Sequence, residues 1–298
     1  MNPSRIYDLV CIGNYTKDTI ITPSGTRYVD GGAVNYAAHA ANQLGLIVAV
    51  VTRLAREDQR VVDKFTSCGI DCFPTYTPES TTMRLEYPTN DPDFRYLSVA
   101  STAGTIGSMD IEDIEMRAAV IGSSFRGEVG LDVIQLLRAK KLLLAADMQG
   151  FVRVLEEQSL AYKSWDEMSI TLCFLDILKS DAVEAEALTG EGDIFKAARV
   201  FSGLGAKEVI LTHKDGVLLF TGEKYYQAGF YPQRLDGRSG RGDTCIGVYT
   251  AMRLSKEPYE ALLWAAAVTS LKMERLGPFD RSMEEVEFFL RDKYGFEP

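Results

Sequence analysis

Gly31-Gly32-Ala33-Val34-Asn35-Tyr36-Ala37-Ala38-His39-Ala40-Ala41-Asn42-Gln43-Leu44-Gly45 is the stretch on which the reading of the fold turns. Paired glycines open a helix rich in alanine, whose small side chains permit close approach to a sheet, and Gly45 supplies a C-terminal stop. The β-rich runs Leu9–Gly13 and Val48–Thr52 flank it, so the unit reads strand, helix, strand. Outward from there the alternation continues through Asp58–Ser67 (helix), Ile70–Tyr76 and Ala119–Gly122 (strands), Val129–Lys140 (helix), Leu142–Asp147 and Leu175–Lys179 (strands), Ala182–Leu188 and Ile194–Leu204 (helices) and Glu208–Thr212 (strand). This rhythm predicts an α/β fold, a mostly parallel sheet flanked by helices on both faces.

Two stretches break it. Thr81–Tyr87 and Phe94–Ala100 are extended runs joined by the turn-rich Pro88-Thr89-Asn90-Asp91-Pro92-Asp93, and residues 18–30 read as another pair of short strands. Together they predict a small β lid made from two insertions, at about 18–30 and 81–100, on one domain spanning residues 1–298. Val217–Thr221 and Tyr225–Phe230 add strands, and Asp243–Ser255, Tyr259–Met273 and Met283–Tyr294 add helices.

The 298 residues carry 32 Lys+Arg against 42 Asp+Glu, a net charge of −10, which disfavours a nucleic-acid partner, and 46% hydrophobic content, ample for a core. No stretch reaches 18 apolar residues, and no signal-like segment opens the chain, so a cytoplasmic protein without a membrane partner is expected. The five scattered cysteines describe neither a disulfide framework nor a zinc site and read as ordinary buried thiols.

Ser239-Gly240-Arg241-Gly242-Asp243-Thr244 lies between a strand region and a helix. Its glycines allow a tight turn that points N–H groups at a ligand, and the helix adds unpaired amides and its positive dipole end. A carboxylate beside such an anion cradle suits a group that accepts a proton from an attacking hydroxyl. The alternative is that Asp243 or Thr244 only caps the helix. Asn35 has the donor and acceptor needed for a sugar hydroxyl, or it caps its own turn. Asp147, at a strand end, lines a site or caps the turn after it.

The Gly-Gly-x-x-Asn-x-Ala opening at Gly31 and Gly32 and the Gly-x-Gly-Asp helix start at Gly240 resemble, in order and spacing, the two signatures of the ribokinase (pfkB) family of carbohydrate kinases. Gly13-x-x-x-x-Asp18 and Asp181-Ala182-Val183-Glu184 extend the resemblance over essentially the whole chain. It implies a ribokinase-like fold and an ATP-dependent kinase with Asp243 as base and the Gly240–Gly242 amides, Arg241 included, as anion hole. It further implies that Asp18 and Asn35 hold the acceptor, that Thr212 and Gly216 lie in the nucleotide site, and that Glu184 and Asp181 accompany Mg²⁺. Four departures stand out: Arg241 in place of a small residue, Asp181 in place of Asn, Gly237 where the family has Asp, and a Thr212–Gly216 connection one residue short.

A hard cation such as Mg²⁺ keeps several waters and takes few protein ligands, so Glu184 reaching through water fits; as an exposed helical carboxylate it has no such role. The acceptor is expected to be a sugar or cyclic polyol, and the segment Asp147–Arg153 together with Arg241 resembles a branch of these kinases with inositol-type substrates. A nucleoside is the alternative, since the lid offers both polar Arg84, Glu86 and Arg95 and aromatic Tyr87, Phe94 and Tyr96. A sugar sensor that lost its chemistry is a reading of another class, against which the retained Asp243 argues. A homodimer through the lid completes the expectations; whether ADP could replace ATP as donor is not legible in the sequence.

Overall fold

A computed structural model describes residues 5–89 and 95–298. The turn residues Asn90 to Asp93 and the lid aromatic Phe94 lie outside the described residues.

Among the described residues nine strands form the central sheet, in the order Tyr225–Gly229, Gly216–Phe220, Glu208–His213, Ile177–Asp181, Leu143–Asp147, Glu115–Ile121, Ile6–Ile12, Val48–Ala55 and Asp71–Thr77. Neighbours run parallel except where Gly216–Phe220 pairs antiparallel with both of its neighbours. The period-two alternation of side chains explains why the central strands are apolar throughout. Leu9 and Cys11 join one core layer while Tyr7, Val10 and Ile12 join the other; Ala118 and Val120 split from Ala119 and Ile121 in the same way. The first layer is covered by the helices Ala33–Gln43, Gln59–Ser67, Arg241–Met252, Pro258–Met273 and Met283–Tyr294, the second by Leu131–Ala139, Ala182–Thr189 and Ile194–Gly203.

The alanine-rich helix behaves as its composition predicts. Ala37, Ala38, Ala40 and Ala41 are all buried, and a side chain at Gly247 would stand 2.7 Å from the Ala37 Cα, so the two helices cross almost backbone to backbone. That crossing brings the starts of both signature segments together.

The lid is a second sheet, ordered Arg153–Glu156, Ser159–Tyr162, Tyr96–Ser101, Thr81–Glu86, Thr16–Thr22 and Gly25–Gly31 among the described residues. The hairpins 16–31 and 81–101 are those the sequence predicts. The lid has three insertions, however, because Arg153–Glu156 and Ser159–Tyr162 form a further hairpin whose Leu155 and Leu160 pack against Met83, Val99 and Phe125. Its two-residue turn places Glu157 at φ 54, a left-handed conformation for which the segment carries no glycine or asparagine signal. A second correction concerns the cysteines: Cys11 and Cys245 are buried, but Cys68 and Cys173 are exposed. Among the described residues no helix is long and apolar enough to cross a membrane.

Candidate active site

Strand C-termini and one helix N-terminus converge at one end of the central sheet, where open α/β sheets present ligand groups. Asp147 and Asp181 each end a strand, and Arg241–Met252 begins after Gly240, which caps it at φ 78. Only glycine fits at 240: beyond the left-handed φ, an added Cβ would lie 2.2 Å from the Tyr36 ring. Tyr36 of the first signature therefore sits directly on the turn of the second.

Asp243 occupies the first turn of that helix, and its Oδ1 is shut off from solvent with no partner among the described residues. Burial raises its pKa above the usual carboxylate range, and Lys179 and Arg153 pull it back. This is an orphaned acceptor at a helix start, where the first amides also lack intrahelical partners. The Arg241 N–H is already used, donating to the Arg238 carbonyl at 3.2 Å, which corrects the expectation that it serves an anion. The cradle thus falls to the amides that follow, at Gly242 and Asp243.

Gly242 has its own reason to be glycine, since a Cβ there would stand 2.3 Å from Lys179 Nζ. Lys179 is buried, and its ammonium donates to Asp147 Oδ2 at 2.8 Å. Burial pulls its pKa down, but the carboxylates of Asp147, Glu184, Asp181 and Asp243 outweigh it and raise it overall. Asp147 also accepts from the Gln149 N–H at 3.1 Å, so it caps the next turn while its other oxygen takes the lysine beneath Gly242.

On the lid side, Asp18 sits on the first lid hairpin with a buried Oδ1 that has no partner among the described residues, and its pKa is pushed up to about 6 by burial, with the charges of Asp243 and Asp30 adding to the rise. Gly31 makes room for it, because a Cβ there would lie 2.1 Å from Asp18 Oδ2. Gly32, at φ 92, caps the alanine-rich helix. Asn35 is buried and donates through Nδ2 to the Asp30 carbonyl at 2.9 Å, which braces the Gly31–Gly32 bend. Of the lid's polar groups, Arg84 pairs with Glu86, whereas the Arg95 charge reaches Asp18.

Three expected assignments change. Glu184 is neither an exposed helical carboxylate nor free for a metal: its Oε1 accepts from Arg153 Nη2 at 2.9 Å, and its Oε2 accepts from the Asp181 N–H at 3.2 Å. Asp181 in turn accepts from the Glu184 N–H at 2.8 Å, a closed capping box. Among the described residues no group of three or more His, Cys, Asp or Glu is placed to hold a metal ion. This donor set does not fit a protein-bound Mg²⁺, and such an ion belongs with phosphate oxygens and water. Thr212 and Gly216 present no side chain to a ligand either. Thr212 is buried with its hydroxyl on the Ser180 carbonyl at 3.5 Å, and a Cβ at Gly216 would lie 2.4 Å from the Ala228 carbonyl oxygen. The charge of Arg241, expected to lean towards the acceptor, helps burial to lower the His213 pKa.

Lys179, Arg153, Tyr36 and Lys272 were missed as site residues. Lys179 ends the run Leu175–Lys179, where a charged residue closing an apolar strand was the available signal; for the others only the fold assembles them. A cavity of about 520 Å³ lined by residues such as Gln233, Arg281 and Phe288 includes none of the residues described above.

Comparison with known proteins agrees with this arrangement. Residues 6–284 match the pfkB family carbohydrate kinases. A pyrophosphate-dependent kinase in the ribokinase family, solved as a sulfate complex, is 35% identical over 94% of this chain and 99% of its own, with a TM-score of 0.88. A pyrophosphate-dependent kinase of that family complexed with a pyrophosphate analog and myo-inositol is 33% identical over the same shares, with a TM-score of 0.87. The cytidine kinase of Thermococcus kodakarensis is 25% identical over 259 residues, 85% of this chain and 91% of its own. A carboxylate at a glycine-flanked helix start, a facing lid and this likeness over nearly the full length place the chain in the pfkB family of carbohydrate kinases.

Proposed function

We propose that the chain transfers a phosphoryl group to a hydroxyl of a cyclic polyol of the inositol class, with inorganic pyrophosphate rather than ATP as donor. The observation that carries the reaction is the orphaned Oδ1 of Asp243 beside the Gly242 backbone and the Lys179 ammonium. In this reading Asp243 takes the proton of the acceptor hydroxyl as the hydroxyl oxygen attacks one phosphorus of pyrophosphate, the bridging P–O bond breaks and inorganic phosphate leaves with its electron pair, the amides of the helix start hold the transferring group, and Asp18 accepts from neighbouring hydroxyls. Lys179 lies below the cradle, and buried Arg153, whose Nε has no partner among the described residues, offers a further cationic donor.

The donor is argued from what a nucleotide would need. His213 and Gly216 face each other across a two-residue turn, and Thr212 and Gly216 are committed to sheet packing, so this hairpin gives a base and ribose little to grip. Pyrophosphate has neither, and draws its affinity from amides and buried cations. The relatives at 33% and 35% identity, described as pyrophosphate-dependent, support the same choice. The cytidine kinase relative favours a second reading, a nucleoside acceptor with ATP.

Turnover measured with myo-inositol, ribose and cytidine, each against pyrophosphate and against ATP, separates them. Phosphorylated inositol from pyrophosphate alone is the expected result; turnover only with ATP overturns the donor, and turnover only with cytidine overturns the acceptor.

A further inference from the structure

Lys272 lies outside every signature segment, near the end of the helix Pro258–Met273, and is only 2% exposed. Its Nζ donates to the Gly237 carbonyl at 2.5 Å and also to the Ser239 carbonyl. Both acceptors belong to the segment that leads into Gly240. The same segment is seated on the end of the Lys272 helix: the Gly237 N–H donates to the Met273 carbonyl at 2.8 Å, and a Cβ at 237 would stand 1.6 Å from the Arg275 carbonyl oxygen. The Tyr36 ring that packs on Gly240 lies 5.0 Å from Nζ.

Two carbonyl oxygens turned towards one buried point repel each other unless a cation lies between them. A lysine buried on neutral carbonyls, with no carboxylate in an ion pair among the described residues, is costly, which calls for a role beyond packing. We infer that Lys272 is a positioning residue for phosphoryl transfer: its ammonium acts as a built-in monovalent cation that draws the Gly237 and Ser239 carbonyls to one side of the turn and so holds the amides beyond Gly240 towards the transferring group. The inference rests on the cradle assignment above and is independent of which donor or acceptor is used. Burial lowers the Lys272 pKa to about 8, with Asp243 opposing the drop, so the ammonium form prevails at neutral pH.

The test compares the parent with Lys272→Met and Lys272→Gln in sodium, potassium, ammonium and tetramethylammonium chloride. Hydrogen exchange at the amides of residues 239–243, which needs no substrate, is read beside kcat and KM for whichever pair supports turnover. In both variants these amides are expected to exchange faster and kcat to fall roughly ten- to a hundredfold with acceptor KM little changed, as when a preorganised oxyanion site is loosened. Potassium or ammonium, close in size to the missing group, is expected to restore both readouts, while bulky tetramethylammonium does not, and the parent is indifferent to all four salts. Unchanged exchange in the variants, a loss that no small cation repairs, or a parent that itself requires potassium or ammonium overturns the inference. Failure of the donor and acceptor assignments alone leaves the exchange result standing.

Discussion

Asp243 and Asp18 are two carboxylates with orphaned oxygens, each raised by burial first, yet their environments assign them different work. Asp243 is countered by Lys179 and Arg153, which keep it available as a proton acceptor, so Asp243→Asn is expected to lower kcat by roughly 10²–10⁴-fold with donor binding nearly intact. Steady-state kinetics with a donor-binding titration checks this, and turnover near that of the parent would reduce Asp243 to a helix cap. Asp18 has a folded pKa of about 6 against an ordinary 3.8, so the carboxylate that receives hydroxyl protons is lost as pH falls through about 6, and acceptor KM is expected to rise there. The sign for stability is opposite: between those values the folded state binds the proton more tightly than the unfolded chain, so stability falls as pH rises through the window. Asp18→Asn is therefore expected to melt no lower than the parent at neutral pH while raising acceptor KM about ten- to a hundredfold for a lost buried hydrogen bond. A variant less stable than the parent with normal acceptor KM would place Asp18 outside the pocket. The placement of the carboxylate at 243 was legible because an acidic residue that follows two glycines and opens a helix is a local pattern. The fate of Glu184 was not, because its partner Arg153 is 31 residues away and no local rule pairs them.

At the scale of elements, Arg153 joins the lid to the sheet: it opens the strand Arg153–Glu156, and its guanidinium is buried against Glu184 on the helix Ala182–Thr189. Replacing one member of a buried pair leaves the other charge uncompensated, so Arg153→Ala is expected to cost about 3–5 kcal/mol, and Arg153→Met together with Glu184→Gln markedly less. Chemical denaturation of the single and double variants measures the difference; equal losses in both would mean that packing, not charge, is what Arg153 supplies. The helices and the main strands could be read from periodicity because each buries a regular face. The hairpin at 153–162 escaped because its strands have four residues each and its turn uses Glu157 at positive φ. Residues 149–152 were passed over for a related reason: a helix of one turn leaves no periodic trace.

Among the described residues each sheet of the molecule ends on two outer strands. Gly25–Gly31 is one of the two outer strands of the lid and carries Tyr28 at 82% exposure, so the homodimer through the lid stands as a proposal, with this edge as its seam. Sedimentation of the parent and of Tyr28→Asp checks it: a parent dimer that the variant splits is the expected result, and a monomeric parent removes the seam. The layer architecture, the two signature turns and the carboxylate at 243 were written in local patterns of glycine, alanine and alternating apolar residues, because backbone geometry and period-two or 3.6-residue burial act over a few neighbours. Which cations face the phosphoryl site could not be read that way. Lys179 and Lys272 meet the turn at 237–243 from two separate elements and the Arg153 charge reaches Asp243 from a third, and a buried charge is tolerated only where distant parts of the chain bring it partners, which is decided when the sheet, the lid and the helix Pro258–Met273 close together.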